Sequence, residues 1–274
     1  MQPVPPNPST RAWVWTGSAF APSDSLPVTD RGFRYGMSVF ESFPVRKGTP
    51  LFLPAHLKRL RNACAETGLA APPEALAQCG ALFKKAGDGF ARIYVTAGDG
   101  PVTAPCDAGR VLVLLEERPP IDADTRLRGY DLGIHKSPYV PFFNGMKTGN
   151  YWSNLHAYRT GVAAGWNESL LFNRAGHLIS ACMANVFILR GGSLLTPALE
   201  MGARAGVVRE WVLQHVMAEE ALVTRADVDA ATEIFLTSSW LGIMPAFSLE
   251  QRPLKARTIA KPLWGAYQTE TKSK

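Results

Sequence analysis

The chain has 274 residues, of which 46% are hydrophobic and 19% are charged, and its formal net charge is +6. This composition excludes a disordered or fibrous protein and supplies enough apolar residues for one large core or two smaller ones. The longest apolar runs, such as Val111 to Leu115, are far too short to span a bilayer. Basic and acidic residues are interspersed, so we expect no nucleic-acid or membrane partner, and the positive excess suits a small anionic substrate.

The N-terminal segment, MQPVPPNPST, lacks the apolar core of a signal peptide and is predicted to be a proline-stiffened arm. The cysteines and the five histidines are scattered without metal-ligand spacing, which predicts buried thiols and no metal site. The four cysteines are Cys64, Cys79, Cys106 and Cys182. These features predict a soluble, cytoplasmic protein whose thiols stay reduced.

The first part of the chain is predicted to contain five strands and two helices. Strands are expected at 11–16, 39–46, 51–53, 90–97 and 110–116, the last two being rich in β-branched residues. A helix is predicted over 54–67, because Leu57, Leu60 and Cys64 recur at helical spacing, and Gly68 is expected to end it. A second helix is predicted at 73–86.

A proline-containing segment then divides the chain. Glu117–Asp124 holds two adjacent prolines and little periodicity, which predicts an inter-domain linker. We place a small N-terminal α/β domain at 1–118, the linker at 119–128 and a larger C-terminal domain at 129–274. In that domain strands are predicted at 131–137, 168–173, 177–180, 185–190, 193–196 and 232–237, and helices at 150–164, 207–219 and 257–269. Strands and helices mix without strict β-α-β alternation, so the predicted class is α+β.

Three polar segments could carry chemistry. The first is DRGFRYGMSVFES at Asp30–Ser42, the second is MKTGNYWSN at Met146–Asn154, and the third is TSSW at Thr237–Trp240. Hydroxyls and backbone N–H groups at strand ends and helix starts can hold a phosphate. Taken singly, each segment is better explained as an ordinary turn or helix cap.

Taken together and in this order, the segments resemble the class IV aminotransferases, which are pyridoxal-phosphate (PLP) enzymes of fold type IV. Six family motifs are similar to segments of this chain. D-R-G-F-x-Y-G-D-G-x-F-E is similar to residues 30–41, H-x-x-R-L to 56–60 and K-x-x-N to 147–150. E-x-x-x-x-N-x-F is similar to residues 180–187, G-[IV]-x-R to 206–209 and F-[IL]-T-x-S to 235–239. The resemblance implies a two-domain fold like that of D-amino-acid aminotransferase. It also implies PLP as cofactor and a homodimer in which the partner chain completes the site.

The resemblance further implies roles for individual residues. Lys147 would carry PLP covalently and then move protons, which requires an amine that is neutral part of the time. Arg59 would pair with the PLP phosphate in bidentate fashion, the alternative being an ion pair on the helix surface. Val207 and Val208 could give the phosphate only backbone N–H groups. The remaining implied residues are Tyr151, Ser238 and Ser239 for the cofactor, and Tyr35 and Trp240 for the substrate; for Tyr35 and Tyr151, burial in the core is the alternative.

Three positions depart from the family pattern. Met37 and Ser38 alter the turn that is normally Y-G-D-G. Ser180 falls where the family has the glutamate that pairs with the pyridine nitrogen of PLP. A serine hydroxyl cannot hold a proton on that nitrogen, so the ring would be a weaker electron sink and transamination would be less efficient.

Two details within the family pattern resemble the 4-amino-4-deoxychorismate lyases. Val208 stands where transaminases usually have threonine in G-I-T-R, and Trp240–Pro245 is similar to the L-M-G-I-x-P of the lyases. We therefore predict a PLP-dependent lyase that converts 4-amino-4-deoxychorismate to 4-aminobenzoate and pyruvate. The alternatives are a branched-chain or D-amino-acid transaminase, and a PLP-binding protein whose catalysis is altered or lost because of Ser180.

Overall fold

The structure, a computed structural model, describes residues 10–23, 25–107, 109–254 and 256–272. The predicted N-terminal arm lies outside the described residues except for Thr10. The chain folds as two compact units. Unit 1 comprises Met1–Pro120 together with Lys147–Asn150, and unit 2 comprises Ile121–Met146 together with Tyr151–Lys274.

Unit 1 contains an antiparallel sheet of six strands in the order β2-β1-β6-β5-β3-β4. The strands are β1 (Thr10–Trp15), β2 (Phe20–Pro22), β3 (Ser38–Arg46), β4 (Thr49–Pro50), β5 (Gly89–Thr96) and β6 (Arg110–Glu117). The helices are α1 (Arg31–Tyr35), α2 (Leu53–Thr67) and α3 (Pro73–Gln78), the last continued by a 3-10 turn at Cys79–Phe83.

The α2 helix confirms the prediction for 54–67. Leu57, Leu60 and Cys64 are buried, and Gly68 ends the helix in the left-handed conformation with a φ of 71°. The strand predicted at 51–53 is wrong, because Phe52 has a φ of 53° and α2 already begins at Leu53. The helix predicted at 73–86 is wrong beyond Gln78, where the chain tightens into the 3-10 turn.

Unit 2 contains a mixed sheet of nine strands in the order β12-β11-β10-β13-β14-β7-β8-β9, with β15 beside β14. The strands are β7 (Tyr130–Ile134), β8 (Glu168–Phe172), β9 (Leu178–Ala181), β10 (Asn185–Arg190), β11 (Ser193–Pro197), β12 (Glu219–Ala221), β13 (Glu233–Ser238), β14 (Gly242–Leu249) and β15 (Arg252–Pro253). The helices are α4 (Ala123–Arg128), α5 (Trp152–Ala163), α6 (Val207–His215), α7 (Arg225–Asp229) and α8 (Ala260–Lys272), with 3-10 turns at Phe142–Gly145 and Leu199–Met201. Among the described strands of unit 2, only the β11–β12, β14–β7 and β7–β8 pairs are parallel, which confirms the α+β class.

Several elements of unit 2 differ from the prediction, and α4, which was not predicted, lies inside the predicted linker at 119–128. Helix α6 ends at His215, because Val216 is extended and the chain continues into β12. Helix α8 begins at Ala260, where the buried Glu233 carboxylate accepts the N–H groups of Ile259 and Ala260. Strand β14 was not predicted at all. Its proline, Pro245, is tolerated because the pairing of β14 with β7 starts only at the next residue.

The core of unit 2 lies under this sheet and is built from strand residues such as Leu132, Leu170, Val186 and Leu236. Within the part of the chain that the structure describes, none of the helices combines the length and apolar character that a membrane crossing demands. The described residues also contain no cluster of three or more His, Cys, Asp or Glu side chains arranged to hold a metal ion.

Candidate active site

Lys147 lies in a short segment that pairs with the beginning of β3 in unit 1. The Lys147 carbonyl accepts the Phe40 N–H at 2.8 Å, and the Gly149 N–H donates to the Ser38 carbonyl at 2.9 Å. The Nζ atom of Lys147 lies 4.9 Å from the centroid of the Phe40 ring. These contacts fix the backbone at Lys147 and just after it, while its side chain stays half-buried.

A buried carboxylate lies one residue beyond Phe40 on the same strand. Glu41 belongs to the set of β3 residues that alternate toward the core of unit 1, with Val39, Phe43 and Val45. Its oxygens therefore leave water on folding and require charged or polar partners.

Helix α2 supplies both partners from one face, since His56 and Arg59 are three residues apart. The Arg59 guanidinium donates from Nε to Oε1 of Glu41 at 2.6 Å and from Nη2 to Oε2 at 2.7 Å. The Nδ1 atom of His56 lies 2.7 Å from Oε2. Glu41 thus accepts a bidentate pair and a histidine contact at once, which orients the guanidinium plane.

The charges of this cluster determine its protonation. Burial alone would raise the pKa of Glu41, but the Arg59 guanidinium and the His56 contact outweigh it and lower the pKa to about 2. Burial lowers the pKa of His56, and the positive charges of Arg59 and Lys147 act in the same direction against the opposing contact with Glu41. At neutral pH the cluster therefore holds an ionised Glu41, a neutral His56 and a charged Arg59.

Arg59 is half-buried beside Glu41, so the ion pair that the sequence left open as an alternative exists, although it is not on the helix surface. The phosphate role of Arg59 stays a prediction. Tyr35 ends the short helix α1 and is exposed, with the Arg34 guanidinium 4.8 Å from its ring centroid. The structure does not bury it, and its role toward the substrate also stays a prediction.

In unit 2 the start of helix α6 offers backbone donors. Its N-cap is Gly206, which has no side chain to cap the N–H groups of the first turn, and that turn includes Val207 and Val208. A β-carbon on Gly206 would stand only 2.1 Å from Oδ1 of Asn185, so the helix start is packed directly against that residue. The Asn185 amide donates to the Arg204 carbonyl at 2.8 Å and holds the preceding loop.

Asn185 also connects the helix start with the third polar segment. It lies opposite Thr237 in the pairing of β10 with β13. Among the described residues, the Thr237 hydroxyl is buried without a hydrogen-bond partner. The Oγ atom of Ser238 accepts the Leu241 N–H at 3.1 Å, and Ser239 follows at the end of the strand. Uncapped N–H groups and an unpaired buried hydroxyl suit an anion such as a phosphate, so the residues present fit PLP.

Ser180 lies near a second buried carboxylate that sequence reasoning missed. Ser180 is half-buried on β9, opposite Leu171 of β8. Two residues beyond it the chain turns, and the Glu168 carboxylate accepts the N–H groups of Cys182 at 3.1 Å and Met183 at 3.0 Å. Burial raises the pKa of Glu168 to about 7, against the opposing hydrogen bonds from backbone N–H groups.

The other two predicted residues of unit 2 differ in their surroundings. Tyr151 is half-buried, and its hydroxyl is 3.5 Å from Nη1 of Arg204, a residue that the sequence analysis did not single out. Trp240 packs against the core of unit 2. Their cofactor and substrate roles stay predictions.

A model of the amino-transferase class IV family matches residues 38–249. The chain belongs to this family. It is therefore a PLP-dependent enzyme of the lyase or aminotransferase type, and the resemblance found in the sequence is confirmed.

Two curated relatives illustrate both types. The aminodeoxychorismate lyase of Bacillus subtilis (strain 168) is 27% identical over 241 residues, covering 82% of each chain. A putative branched-chain-amino-acid aminotransferase of Methanocaldococcus jannaschii is 23% identical over 249 residues, covering 86% of each chain.

Solved structures share the fold over nearly the whole chain. The 4-amino-4-deoxychorismate lyase from Pseudomonas aeruginosa superposes with a TM-score of 0.82 and 27% identity, covering 94% of this chain and 98% of that one. An aminotransferase from Brucella abortus bound to the cofactor PLP gives a TM-score of 0.82 at 21% identity, covering 95% of this chain and 99% of that one. The two-domain fold type IV architecture is thereby confirmed.

Proposed function

We propose that this family member is a PLP-dependent lyase that converts 4-amino-4-deoxychorismate to 4-aminobenzoate and pyruvate. The observation that carries the proposal is the 27% identity to the Bacillus subtilis and Pseudomonas aeruginosa lyases over at least 82% of the chain. The absence of a threonine at Val208 and the segment Trp240–Pro245 support it from the sequence.

Each candidate residue then has a chemical task. When bound, PLP supplies an electron sink for negative charge on the carbon that bears the substrate amino group. We assign to Nζ of Lys147 the covalent attachment of the cofactor and the removal of the proton from that carbon. Backbone hydrogen bonds at Lys147 and Gly149 hold the segment that carries this atom.

The phosphate of the cofactor requires donors. We assign them to Arg59, oriented by Glu41, to the backbone N–H groups of Val207 and Val208, and to the hydroxyls of Ser238 and Ser239. Tyr151 and Ser180 are assigned to the cofactor ring, and Tyr35 and Trp240 to the substrate. The Ser180 hydroxyl can form a neutral hydrogen bond but carries no charge, which favours elimination over a full transamination cycle.

The test is a product balance with purified holoenzyme and 4-amino-4-deoxychorismate. We expect pyruvate and 4-aminobenzoate in equal amounts, without any added amino donor. Conversion of branched-chain or D-amino acids to keto acids at ordinary enzyme rates of about 1–1000 per second, without pyruvate release, would establish the transaminase alternative instead. PLP binding without either reaction would establish the altered PLP-binding protein.

We also propose a cytoplasmic homodimer. The side chains of Trp152, Leu155 and Val162 are exposed, and their spacing puts them along one face of α5. The free thiols of the chain suit a reducing compartment. Sedimentation at micromolar protein should give about twice the chain mass of 29.8 kDa. A monomer with full activity would contradict the dimer.

A further inference from the structure

Arg204 lies in the loop between β11 and α6 of unit 2 and is held at several points. Its Nε atom donates to the Gly145 carbonyl at 2.6 Å. Its own carbonyl accepts the Asn185 amide at 2.8 Å. Backbone and side chain are therefore both fixed, and a fixed guanidinium loses little conformational freedom when it binds a ligand.

The surroundings of Arg204 include two tyrosine side chains. Nη1 lies 3.5 Å from the Tyr151 hydroxyl, and the guanidinium carbon lies 5.8 Å from the centroid of that ring. The Tyr139 hydroxyl donates to Oδ1 of Asn154 at 2.7 Å. Burial raises the pKa of Tyr139, and the positive charge of Arg204 opposes this rise. Arg204, Tyr151, Tyr139 and Asn154 form what we call the Arg204 cluster.

Among the residues that the structure describes, the positive charge of Arg204 has no carboxylate counter-ion. Among the described residues, no Asp or Glu carboxylate lies within ion-pair distance of Arg204, although it is half-buried. If Arg204 served only to anchor its loop to the Gly145 carbonyl, a single N–H donor would suffice. A guanidinium instead carries five N–H donors in a fixed, forked arrangement. Such a fork matches a carboxylate.

The chain places this cation beside the residues that flank Lys147. Gly145, to which Arg204 donates, precedes Lys147 by two residues, and Tyr151 follows it by four. We propose that Arg204 is a specificity-determining residue that binds a carboxylate of the substrate. The inference rests on the proposed function, because 4-amino-4-deoxychorismate carries carboxylates and loses one of them as pyruvate.

The experiment compares acids with their uncharged amides as ligands of the PLP-loaded enzyme. The probes are 4-aminobenzoate against 4-aminobenzamide, and L-leucine against L-leucinamide. The proteins are wild type, Arg204→Gln, Arg204→Lys and the matched control Arg174→Gln, which removes an exposed arginine from the turn between β8 and β9. Calorimetry measures each affinity, and equilibrium dialysis measures the affinity for PLP.

We expect wild type and Arg174→Gln to prefer the acid in at least one pair by about ten- to a hundredfold. Arg204→Gln should lose that preference, and Arg204→Lys should keep part of it, since the charge remains without the fork. PLP affinity should stay within about threefold of wild type. A structural anchor alone would not change the acid-to-amide ratio.

Three results would overturn the inference. One is an acid preference that survives in Arg204→Gln, and another is a wild type without acid preference in either pair. The third is a loss of PLP affinity in Arg204→Gln, which would make Arg204 a cofactor ligand. The proposed function can fail separately. If the enzyme prefers L-leucine over L-leucinamide but does not bind 4-aminobenzoate, the lyase is rejected. Arg204 would still be the carboxylate ligand in that case.

Discussion

The two units each bury a glutamate close to a predicted cofactor residue, and the two carboxyl groups titrate in opposite directions. Glu41 in unit 1 has a pKa lowered to about 2, whereas Glu168 in unit 2 has a pKa raised to about 7. Both are almost completely removed from water. The difference lies in their partners, since Glu41 faces a guanidinium and an imidazole and Glu168 faces backbone N–H groups.

This contrast indicates two uses of a buried carboxylate. A full positive charge compensates desolvation and leaves a permanent anion that can orient Arg59. Backbone N–H groups compensate only part of that cost, so Glu168 titrates near neutral pH while it holds the turn after Ser180. At neutral pH the Glu41 carboxyl group in unit 1 is therefore ionised, whereas the Glu168 carboxyl group in unit 2 is partly protonated.

The largest effect is expected from the lysine beside the charged cluster of unit 1. Lys147→Ala should abolish activity, because no other group then attaches the cofactor and moves the substrate proton. We expect a loss of at least about a thousandfold in turnover, as for other groups that act in the chemical step. The matched control Lys261→Ala, on the exposed face of α8, should retain wild-type turnover. Comparable turnover in both variants would remove Lys147 from the site.

The next largest effect concerns the pairing that makes Glu41 a permanent anion. Arg59→Ala should destabilise the fold by about 3–5 kcal/mol, because it leaves a buried carboxylate unpaired. Adding Glu41→Gln should recover much of that loss by removing the unpaired charge. Denaturant unfolding measures the recovery, and equilibrium dialysis measures PLP affinity.

In that double variant PLP affinity should remain low, since the proposed phosphate donor is still missing. Recovery of both stability and PLP affinity would show that Arg59 serves only Glu41. This design separates the ion pair from the phosphate role, which the single variant cannot do.

A smaller effect is expected from pH, with opposite signs for the two glutamates. The stabilisation from ionised Glu41 is fully present above its ordinary pKa of 4.5 and is lost as pH falls from 4.5 toward 2. For Glu168 the folded pKa is raised, so stability falls as pH rises from 4.5 to about 7. The decrease amounts to about 3 kcal/mol, at roughly 1.4 kcal/mol per pKa unit.

Denaturant unfolding of wild type and Glu168→Gln between pH 4.5 and 8 checks this prediction. The stability advantage of wild type over Glu168→Gln should shrink by about 3 kcal/mol across that range, because the amide does not titrate. An advantage that is constant or grows with pH would mean that Glu168 is already ionised in the folded protein at acidic pH.

The smallest effect is expected at Ser180, whose side chain carries no charge. Ser180→Glu should raise conversion of PLP to pyridoxamine phosphate by amino acids about tenfold, since a charge-assisted bond to the pyridine nitrogen is worth roughly 1–2 kcal/mol more than a neutral one. Ser180→Asp serves as a companion with a smaller side chain. Single-turnover absorbance with L- and D-amino acids measures the conversion of PLP to pyridoxamine phosphate. Fast transamination by the wild type itself would contradict the suppressing role of Ser180.

Much of the fold could be predicted from local pattern. Helix α2 and the strands β5 and β6 follow from apolar spacing, since burial and periodicity agree there. Strand β14 escaped prediction because Gly242 and Pro245 are unusual in a paired strand. The turn at Phe52 escaped as well, because its positive φ has no glycine to indicate it.

In the candidate site, too, local sequence patterns identify some residues and miss others. The motifs identified Lys147 and the uncapped start of α6, because each lies in one short segment. The burial of Glu41 and Glu168 could have been predicted, because each is a charged residue within an apolar strand. Arg204 had no local signal, since its role depends on Gly145 and Tyr151, which are more than 50 residues away.

The most direct test of the central claim is to locate the covalent attachment of PLP. The holoenzyme is reduced with borohydride, digested, and its peptides are mapped by mass. We predict that the pyridoxyl adduct lies on Lys147, in the segment Met146–Asn154 that pairs with β3. Recovery of the adduct on any other lysine, or no adduct in a protein saturated with PLP, would contradict the account.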